Sequence, residues 1–305
     1  GGMNIWVKAR ISAAITNANS NDSDVPVPVN ASMWMGNHLL AANNFAPTES
    51  GSLGVVFSFP TTQDGLVVTV HSAISFVSQD NAAVNLEAQA KTSSGSSWWG
   101  FTSAVQSTVD EWESLLGRVK VGSTSAQPAG KLKTFYSSVY RAHQVPSTYS
   151  ESNGLYLGED FEVHRVAPGR RHLSDLSIWD IYRTQAPLLT ITAPEIASDL
   201  VSSMMAMYNV TGKLPQWMLG NIETGCMTGK HSAVIMADYV IKGVGGMPPT
   251  KDIFDAVVDG IGRQNKEMAE NGFVPYTKHN RQAASHSLDY AVDAGAVQHL
   301  AEALG

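Results

Sequence analysis

The sequence predicts a multidomain β + α protein, in which part of an N-terminal antiparallel β-sandwich precedes helices arranged as an α/α toroid. β-branched and aromatic residues partly alternate over residues 67–77 (VVTVHSAISFV), as in a half-buried antiparallel strand. From Trp98 onward, apolar residues recur at helical spacing. Further along, a helix that is apolar nearly all round precedes one with a polar stripe, and this alternation indicates inner and outer helices.

The N-terminal part of the chain has the composition of loops and strands. Residues 1–60 are rich in Asn, Ser and Pro and contain short apolar pieces at residues 33–35 and 53–59, which predicts at least one strand in this region. A further strand is predicted over residues 82–90 (AAVNLEAQA). Residues 1–97 are therefore assigned to part of a β-sandwich domain.

The remainder of the chain is predicted to be helical. Residues 98–129 form a linker helix and a connection, because Val105, Val109 and Trp112 fall at helical spacing. Residues 130–305 are assigned to the toroid, and Pro146 ends its first helix. The later helices are predicted at residues 177–189, 194–209, 232–242, 251–269 and 286–304.

The composition is that of a globular protein, and it excludes two classes of partner. Of the 305 residues 43% are hydrophobic and 15% are charged, and the net charge is −7 with no run of Lys or Arg. Nucleic acid binding needs clustered cations, so we expect no nucleic acid partner. No stretch reaches the roughly 18 apolar residues of a membrane span, so we expect no membrane partner. The single cysteine cannot form an intrachain disulfide, which leaves the redox compartment open.

The stretch from Ser174 to Ser232 combines charges, aromatic residues and a Gly-broken loop, and we predict a site there. Ser177 suits a helix N-cap, after which Trp179, Asp180 and Arg183 fall on one helix face. A face with an Asp/Arg pair and a Trp can hold a polyol. The alternative is structural: Ser177 and Asp180 form a capping box, Arg183 pairs with Asp180, and Trp179 belongs to the core.

The loop that follows offers two more candidates. Glu223 lies between Gly220 and Gly225, where it would either orient a substrate or be a solvent-exposed loop acid. Cys226 has no partner in a nucleophile pattern, so we expect it to pack as a small buried residue near the pocket.

A second acidic group lies near the end of the chain. Asp289 and Asp293 are four residues apart, and His286 lies one turn before Asp289. These residues therefore share a helix face and could together bind a metal ion. The alternative for Asp289 is a first-turn acid favoured by the helix dipole. Calcium needs an array of oxygen ligands that these residues alone do not supply, and the metal ligands therefore stay unknown.

Five ordered blocks carry a family resemblance. They are VVTVHSAISFVSQDNAAVNLEAQ (67–89), FYSSVYRAHQVPS (135–147), SDLSIWDIYRTQAPLL (174–189), LPQWMLGNIETGCMTGKHS (214–232) and SHSLDYAVDAGAVQHLAEALG (285–305). Together they resemble glycoside hydrolase family 92, the calcium-dependent, inverting, exo-acting α-mannosidases. The resemblance implies a β-sandwich followed by an (α/α)6 barrel, in chains more than twice this length. Because only five or six of the twelve barrel helices are found, we expect an incomplete chain that holds the end of the sandwich, the linker and the first half of the barrel.

The resemblance also implies roles for the candidate residues. Asp180, Arg183 and Glu223 match positions that line the terminal-sugar pocket, with Trp179 as a ring-packing surface and Cys226 beside them. The sequence lacks the later motifs that hold the family's proton-donating Glu and its base Asp. No catalytic residue is therefore assigned in this chain, and the acid and the base are both expected beyond Gly305.

Near the end of the chain the match is weaker. Asp293 matches the first acid of the family's YAYDDW-like block, but Ala294 and Gly295 depart from that block. The implied cofactor is calcium, and we expect most of its ligands outside this chain.

The resemblance implies removal of terminal α-linked mannose, in the manner of an α-1,2-mannosidase, by calcium-assisted single-displacement inversion. The implied partners are a mannose-containing glycan, such as an N-glycan, and either the missing half of the barrel or a second copy. This substrate class favours a secreted, periplasmic or lysosome-like compartment, although the localisation itself stays unknown. This chain alone is expected to be inactive. Two alternatives stay open: a non-catalytic carbohydrate-binding or assembly subunit, and another (α/α)6 glycan-active enzyme such as a lyase or phosphorylase.

Overall fold

The structure is a computed structural model that describes residues 5–15, 25–26, 30–35, 38–40, 53–59, 66–91, 98–122, 129–264, 266–277 and 282–305. It contains both α and β structure, as the sequence predicts, and divides into two compact units, residues 1–97 and residues 98–305. No helix of the described ranges is long and apolar enough to cross a membrane.

The first unit is built mainly from antiparallel strands. Its elements are β1 (Trp6–Ile15), β2 (Val25–Pro26), β3 (Asn30–Met35), β4 (His38–Leu40), β5 (Leu53–Ser58), β6 (Leu66–Ser75) and α1 (Gln79–Ala90). One sheet has the strand order β2-β1-β6 and another has the order β4-β3-β5. The longest pairing joins β1 to β6, from Trp6 opposite Ser75 to Ile15 opposite Leu66.

The strand predicted over residues 82–90 is wrong, since this segment is the helix α1. Ser78 caps the helix, and its hydroxyl accepts a hydrogen bond of 3.0 Å from the Asn81 N–H. Asn81 and Asn85 are buried one turn apart together with Ala82 and Leu86, which is helical rather than alternating spacing. The sequence pattern misleads here because two of the four buried residues are asparagines. The apolar residues alone therefore give only a weak helical pattern.

The second unit is mainly helical. Its helices are α2 (Phe101–Leu116), α3 (Ala129–Ala142), α4 (Ile178–Ile181), α5 (Gln185–Thr192), α6 (Pro194–Thr211), α7 (Ser232–Ile241), α8 (Thr250–Gln264), α9 (Lys266–Asn271) and α10 (Ala283–Leu304). Its short strands are β7 (Ser147–Thr148), β8 (Leu155–Leu157), β9 (Val163–Arg165), β10 (Leu173–Ser174), β11 (Leu176–Ser177), β12 (Trp217–Leu219) and β13 (Ile222–Glu223). Residue 265, inside the helix predicted over residues 251–269, lies outside the described residues.

The core of this unit lies around α7. Helices α5, α6, α8 and α10 all contact α7, and Ile235, Met236 and Tyr239 of α7 are almost completely buried. The Tyr239 hydroxyl donates a hydrogen bond of 2.7 Å to the carbonyl of Ala186 in α5, so its polar end is satisfied inside the core. In contrast, α8 buries one face and exposes the other, with Lys251 on the exposed side. The structure therefore confirms the predicted difference: α7 is buried nearly all round, and α8 has one exposed face.

The single helix predicted over residues 177–189 is wrong, because the chain breaks between α4 and α5. Proline lacks an N–H, and its ring clashes with the carbonyl four residues earlier. In one continuous helix Pro187 would disrupt the turn that begins at Arg183. Restarting the helix at Gln185 places Pro187 in the first turn, where its missing N–H costs nothing. Residues 182–184 form the break, and the candidate site lies there.

Candidate functional site

Three short strands form the platform of the candidate site. They pair antiparallel in the order β11-β12-β13, and Leu176 of β11 lies opposite Met218 of β12. Both side chains are fully buried, so this apolar pair fixes the two strands. β12 and β13 are joined by Gly220 and Asn221, and Gly220 has a φ of 60°, as a type II′ hairpin turn requires at its first loop position. The sequence analysis predicted only a loop here, although a Gly-Asn pair between apolar residues is a hairpin signal.

Asp180 lies on α4 with its side chain exposed, and Ser177 orients its carboxylate. The Ser177 hydroxyl donates to Asp180 Oδ2 and makes no hydrogen bond to a backbone N–H of α4, so the predicted capping box is wrong. Ser177 also pairs with Trp217 of β12. The backbone N–H of Trp217 donates to Glu223 at 3.0 Å. Asp180 and Glu223 are thus connected through neighbouring residues of one sheet.

Arg183 lies over two aromatic rings beside the chain break. Its guanidinium carbon is 4.6 Å from the ring centre of Tyr182 and 5.3 Å from that of Trp179. Trp179 is only half-buried, and in the described part of the chain Arg183 forms no ion pair with Asp180, so the structural alternative fails on both points. A carboxylate, a guanidinium and an indole face are therefore presented together to solvent. Such a set can bind sugar hydroxyls and pack against a sugar ring.

Glu223 organises the loop that follows β12. Its exposed carboxylate accepts hydrogen bonds from the backbone N–H groups of Gln216 (2.7 Å), Trp217 (3.0 Å) and Gly225 (2.8 Å). The Gln216 side chain continues the network, because its Oε1 accepts a hydrogen bond of 2.6 Å from Lys230 Nζ. Glu223 therefore holds the backbone of this loop in place, which a solvent-exposed acid without protein contacts would not do.

Cys226 is exposed, so the expectation that it packs as a small buried residue is wrong. Its carbonyl accepts a hydrogen bond of 2.9 Å from the Gln216 side chain, while the backbone on both sides turns at Gly225 (φ 64°) and Met227 (φ 64°). This sharp turn directs the thiol out of the packed interior. The sequence could not show this direction, because a free cysteine is more often buried than exposed.

The sequence analysis missed a buried group around His231. His231 Nδ1 lies 2.6 Å from Asp293 Oδ1, and both side chains are nearly or completely buried. Asp293 Oδ2 accepts from the backbone N–H of Lys230, and Asp289 Oδ2 accepts from the Thr228 hydroxyl. The two bonded partners His231 and Asp293 are 62 residues apart, which leaves no local sequence signal.

The positions expected for the C-terminal acids need two corrections. Asp289 is not a first-turn acid, because α10 begins at Ala283 and Asp289 lies in its second turn. His286, expected to share a site with Asp289, instead packs its ring 5.4 Å from that of Tyr290. The carboxylates of Asp289 and Asp293 face the loop before α7.

The last residue of the chain belongs to the end of α10. The backbone N–H of Gly305 donates a hydrogen bond of 3.1 Å to the carbonyl of Ala301, which continues the helical pattern, and Gly305 has a φ of 89°. The expectation that the acid and the base lie beyond Gly305 concerns residues that this chain does not contain, and it stays a prediction.

Tyr182 joins the buried group to the exposed patch. Its ring stacks on His231, with the ring centres 3.9 Å apart and the planes 21° apart, and it also lies under Arg183. Burial raises the pKa of Tyr182, Arg183 opposes this shift, and Asp289 and Asp293 add to it. Tyr182 therefore stays protonated and neutral at physiological pH.

Lys230 is a half-buried cation in this region. Burial lowers its pKa, and the nearby carboxylates of Glu223 and Asp293 oppose that shift. Its Nζ binds Gln216 and its backbone N–H binds Asp293, so Lys230 connects the loop of Glu223 to α10.

Comparison with known proteins supplies the classification. The family model for the glycosyl hydrolase family 92 catalytic domain matches residues 81–305. This chain belongs to glycosyl hydrolase family 92. No curated protein matches the sequence.

Solved family 92 structures share the fold. The chain is 24% identical to the family GH92 alpha-mannosidase BT3965 from Bacteroides thetaiotaomicron, with a TM-score of 0.77 over 97% of this chain and 42% of that one. It is 20% identical to the family GH92 inverting mannosidase BT2199 from Bacteroides thetaiotaomicron VPI-5482, with a TM-score of 0.69 over 96% of this chain and 44% of that one. The chain thus spans about two fifths of the length of these family 92 proteins.

The described residues do not form a calcium site of the kind that the family 92 resemblance implies. Calcium takes about 6–8 oxygen ligands, and no group of three or more His, Cys, Asp or Glu side chains in the described ranges could hold a metal. Both carboxylate oxygens of Asp293 and of Glu223 already accept hydrogen bonds from protein donors. No step of the chemistry is therefore assigned to calcium here.

Proposed function

We propose that this chain supplies the part of a family 92 glycoside hydrolase that binds the terminal α-linked mannose of a glycan. The main support is the exposed patch of Trp179, Asp180 and Arg183, which combines a ring surface with a carboxylate and a guanidinium. Asp180 and Arg183 would hydrogen-bond neighbouring sugar hydroxyls, and Trp179 would pack against the sugar ring. One homologue, the mannosidase BT3965, has been solved with mannoimidazole, and this supports a mannose-type ligand.

The proposed reaction of the whole enzyme is hydrolysis with inversion, in the manner of an α-1,2-mannosidase. Inversion needs a general acid and a general base about 6.5–9.5 Å apart, with a water beside the base. In this chain Glu223, Asp289 and Asp293 are engaged by protein donors, so we assign them to structure and binding and not to proton transfer. The proposal places the acid and the base in the part of the whole enzyme beyond Gly305. It also includes calcium as cofactor of the whole enzyme, and a β-sandwich followed by part of an (α/α)6 barrel as the fold of this chain.

The binding proposal is tested by titrating the chain with methyl α-mannoside, followed by calorimetry or saturation-transfer NMR. We expect millimolar or tighter binding to methyl α-mannoside and weaker binding to methyl α-glucoside, which differs in the orientation of one hydroxyl. Arg183→Lys keeps the charge but loses the planar fork, so it should weaken binding about tenfold. Equal affinity for both sugars, or unchanged affinity in Arg183→Lys, would contradict the proposal.

A second candidate function is a non-catalytic carbohydrate-binding subunit, which is favoured by the engagement of both carboxylate oxygens of Glu223 and of Asp293 by protein donors. The two candidates differ in hydrolysis of an aryl α-mannoside by the whole protein, whereas this chain alone should be inactive under both. Each missing general acid or base costs about 10²–10⁴-fold in rate. Rigorously purified chain should therefore release no aglycone above background, with or without calcium. Chelator-sensitive hydrolysis by this chain would show that the assignment of its acids to binding and structure is wrong.

A further inference from the structure

His231 is a buried histidine in which one ring nitrogen has a hydrogen-bond partner and the other has none among the described residues. Its side chain is 1% exposed, Nδ1 lies 2.6 Å from Asp293 Oδ1, and Nε2 has no hydrogen-bond partner among the described residues. Asp289 Oδ1 lies 3.7 Å from Nε2, beyond hydrogen-bonding distance. A carboxylate only accepts, so Nδ1 donates and the contact with Asp293 fixes the plane of the ring.

The face of this fixed ring supports the exposed patch. Tyr182 stacks on it with ring centres 3.9 Å apart, and Arg183 lies over Tyr182 at 4.6 Å. Tyr182 itself is only 8% exposed, and its ring rests on the ring of His231 instead of on solvent. Backbone geometry keeps His231 close: a Cβ on Gly229 would lie 2.5 Å from Nε2, which leaves the ring no room to swing towards that loop.

We propose that His231 is a positioning residue of the sugar site: held by Asp293, it supports Tyr182, which in turn places the guanidinium of Arg183. His231 does not touch the sugar. Its effect passes through the ring stack, and it links α10, which carries Asp293, to the chain break at residues 182–184. The sugar-binding consequence rests on the function proposed above, whereas the placement of Arg183 does not.

The experiment compares two matched histidines in the full chain. His231→Asn keeps a side-chain N–H near the place of Nδ1 but removes the ring. His172→Asn is the control, because His172 is also buried (5% exposed) and also stacks on a tyrosine, Tyr156, with ring centres 3.9 Å apart. Two quantities are measured: the NMR shift of the Arg183 Nε–H, assigned with Arg183→Lys, and the Kd for methyl α-mannoside.

We expect the Arg183 Nε–H to be displaced by ring currents in the wild type and to move towards its free-peptide shift in His231→Asn only. The Kd should rise about tenfold in His231→Asn, as for loss of one charged hydrogen bond, and should be unchanged in His172→Asn. Both variants should lose thermal stability, so stability does not separate them. An unchanged Arg183 resonance in His231→Asn, or the same change in His172→Asn, would overturn the proposal.

A folding failure and an absence of sugar binding lead to different conclusions. If His231→Asn does not fold, His231→Phe retains a ring under Tyr182, and it should keep the displaced Arg183 resonance; loss of that displacement in folded His231→Phe would overturn the proposal. If the wild type binds no mannoside, the function proposed above fails, and the Arg183 resonance alone decides whether His231 positions this residue.

Discussion

At the scale of single residues, ionisation of Glu159 should destabilise the folded protein. Among the described residues its Oε2 is buried without a hydrogen-bond partner, as is Oδ1 of Asn221, which lines the same small pocket between β8 and β12. Burial raises the pKa of Glu159 to about 7, and the charges of Glu223 and Asp160 add to this shift. The folded protein therefore binds this proton more tightly than the unfolded chain does. The resulting stability is fully present below the unfolded pKa of about 4.5 and is lost as the pH rises through about 7.

Glu159→Gln should remove this pH dependence. At about pH 5 the variant and the wild type should have similar free energies of unfolding, and at about pH 8 the variant should be more stable by roughly 1–2 kcal/mol, allowing for partial solvent screening. Urea unfolding at both pH values measures the difference. Glu162→Gln, at an exposed neighbouring position, is the control and should leave the difference between the two pH values as in the wild type.

Asp180→Asn separates a binding role from a structural role. Asp180 is exposed, and Ser177 holds one of its carboxylate oxygens, which leaves the other for a sugar hydroxyl. Losing a charged hydrogen bond costs about 1.5–3 kcal/mol, so the Kd for methyl α-mannoside should rise about tenfold or more while the melting temperature stays nearly constant. Asp255→Asn, on the exposed face of α8, should change neither quantity. A destabilised variant with intact affinity would end the binding role of Asp180.

At the scale of elements, the loop before α7 is held in one conformation by a close backbone approach. Gly229 has a φ of 80°, which a side chain disfavours, and it lies against the imidazole of His231. Thr228, Lys230 and His231 then direct donors at Asp289 and Asp293 of α10. The loop and α10 are thus coupled through two carboxylates.

Gly229→Ala should therefore be more harmful than an ordinary glycine substitution. The left-handed conformation costs about 1–2 kcal/mol for a non-glycine residue, and the displaced imidazole adds to that cost. Gly262→Ala in α8 has open space around its Cβ and should be neutral or stabilising by roughly 0.5–1 kcal/mol. Chemical denaturation of both variants tests the difference; equal stabilities would mean that the approach of Gly229 to His231 is unimportant.

At the scale of the whole molecule, the large buried cluster belongs to one unit. Every member of the cluster that includes Leu173, Leu200, Met236, Ile253 and Leu300 lies between residues 98 and 305. Burial of apolar surface is the main source of folding stability. The second unit therefore has the principal requirement for folding on its own.

Residues 98–305 produced alone should unfold cooperatively, with a melting temperature within about 5 °C of the corresponding transition in the full chain. Circular dichroism at helical wavelengths follows this transition. The isolated unit should also keep the displaced Arg183 resonance, since Tyr182, His231 and Asp293 all belong to it. A broad, non-cooperative transition would show that the first unit supplies part of its stability.

The sequence by itself predicted the elements that have a strong local period. The inner helix α7 and the Pro-initiated helix α6 begin and end within two residues of their predicted bounds, and the amphipathic helix α8 begins within one residue of its predicted start, because their apolar spacing is a local property. The helix α1 was predicted wrongly, because the asparagines on its buried face hide the apolar period. The residues Trp179, Asp180, Arg183, Glu223 and Cys226 were named from their types and from the family resemblance, and their substrate roles stay predictions.

Only the tertiary structure decided which of these side chains are free to bind. It placed Arg183 over Tyr182 and, among the described residues, without an ion pair to Asp180, exposed Cys226, and joined Asp293 to His231 across 62 residues. Residue type determines which hydrogen bonds a side chain can form, and the sequence contains that information completely. Which bonds form depends on the distances between segments far apart in the chain, and packing of the whole unit determines those distances.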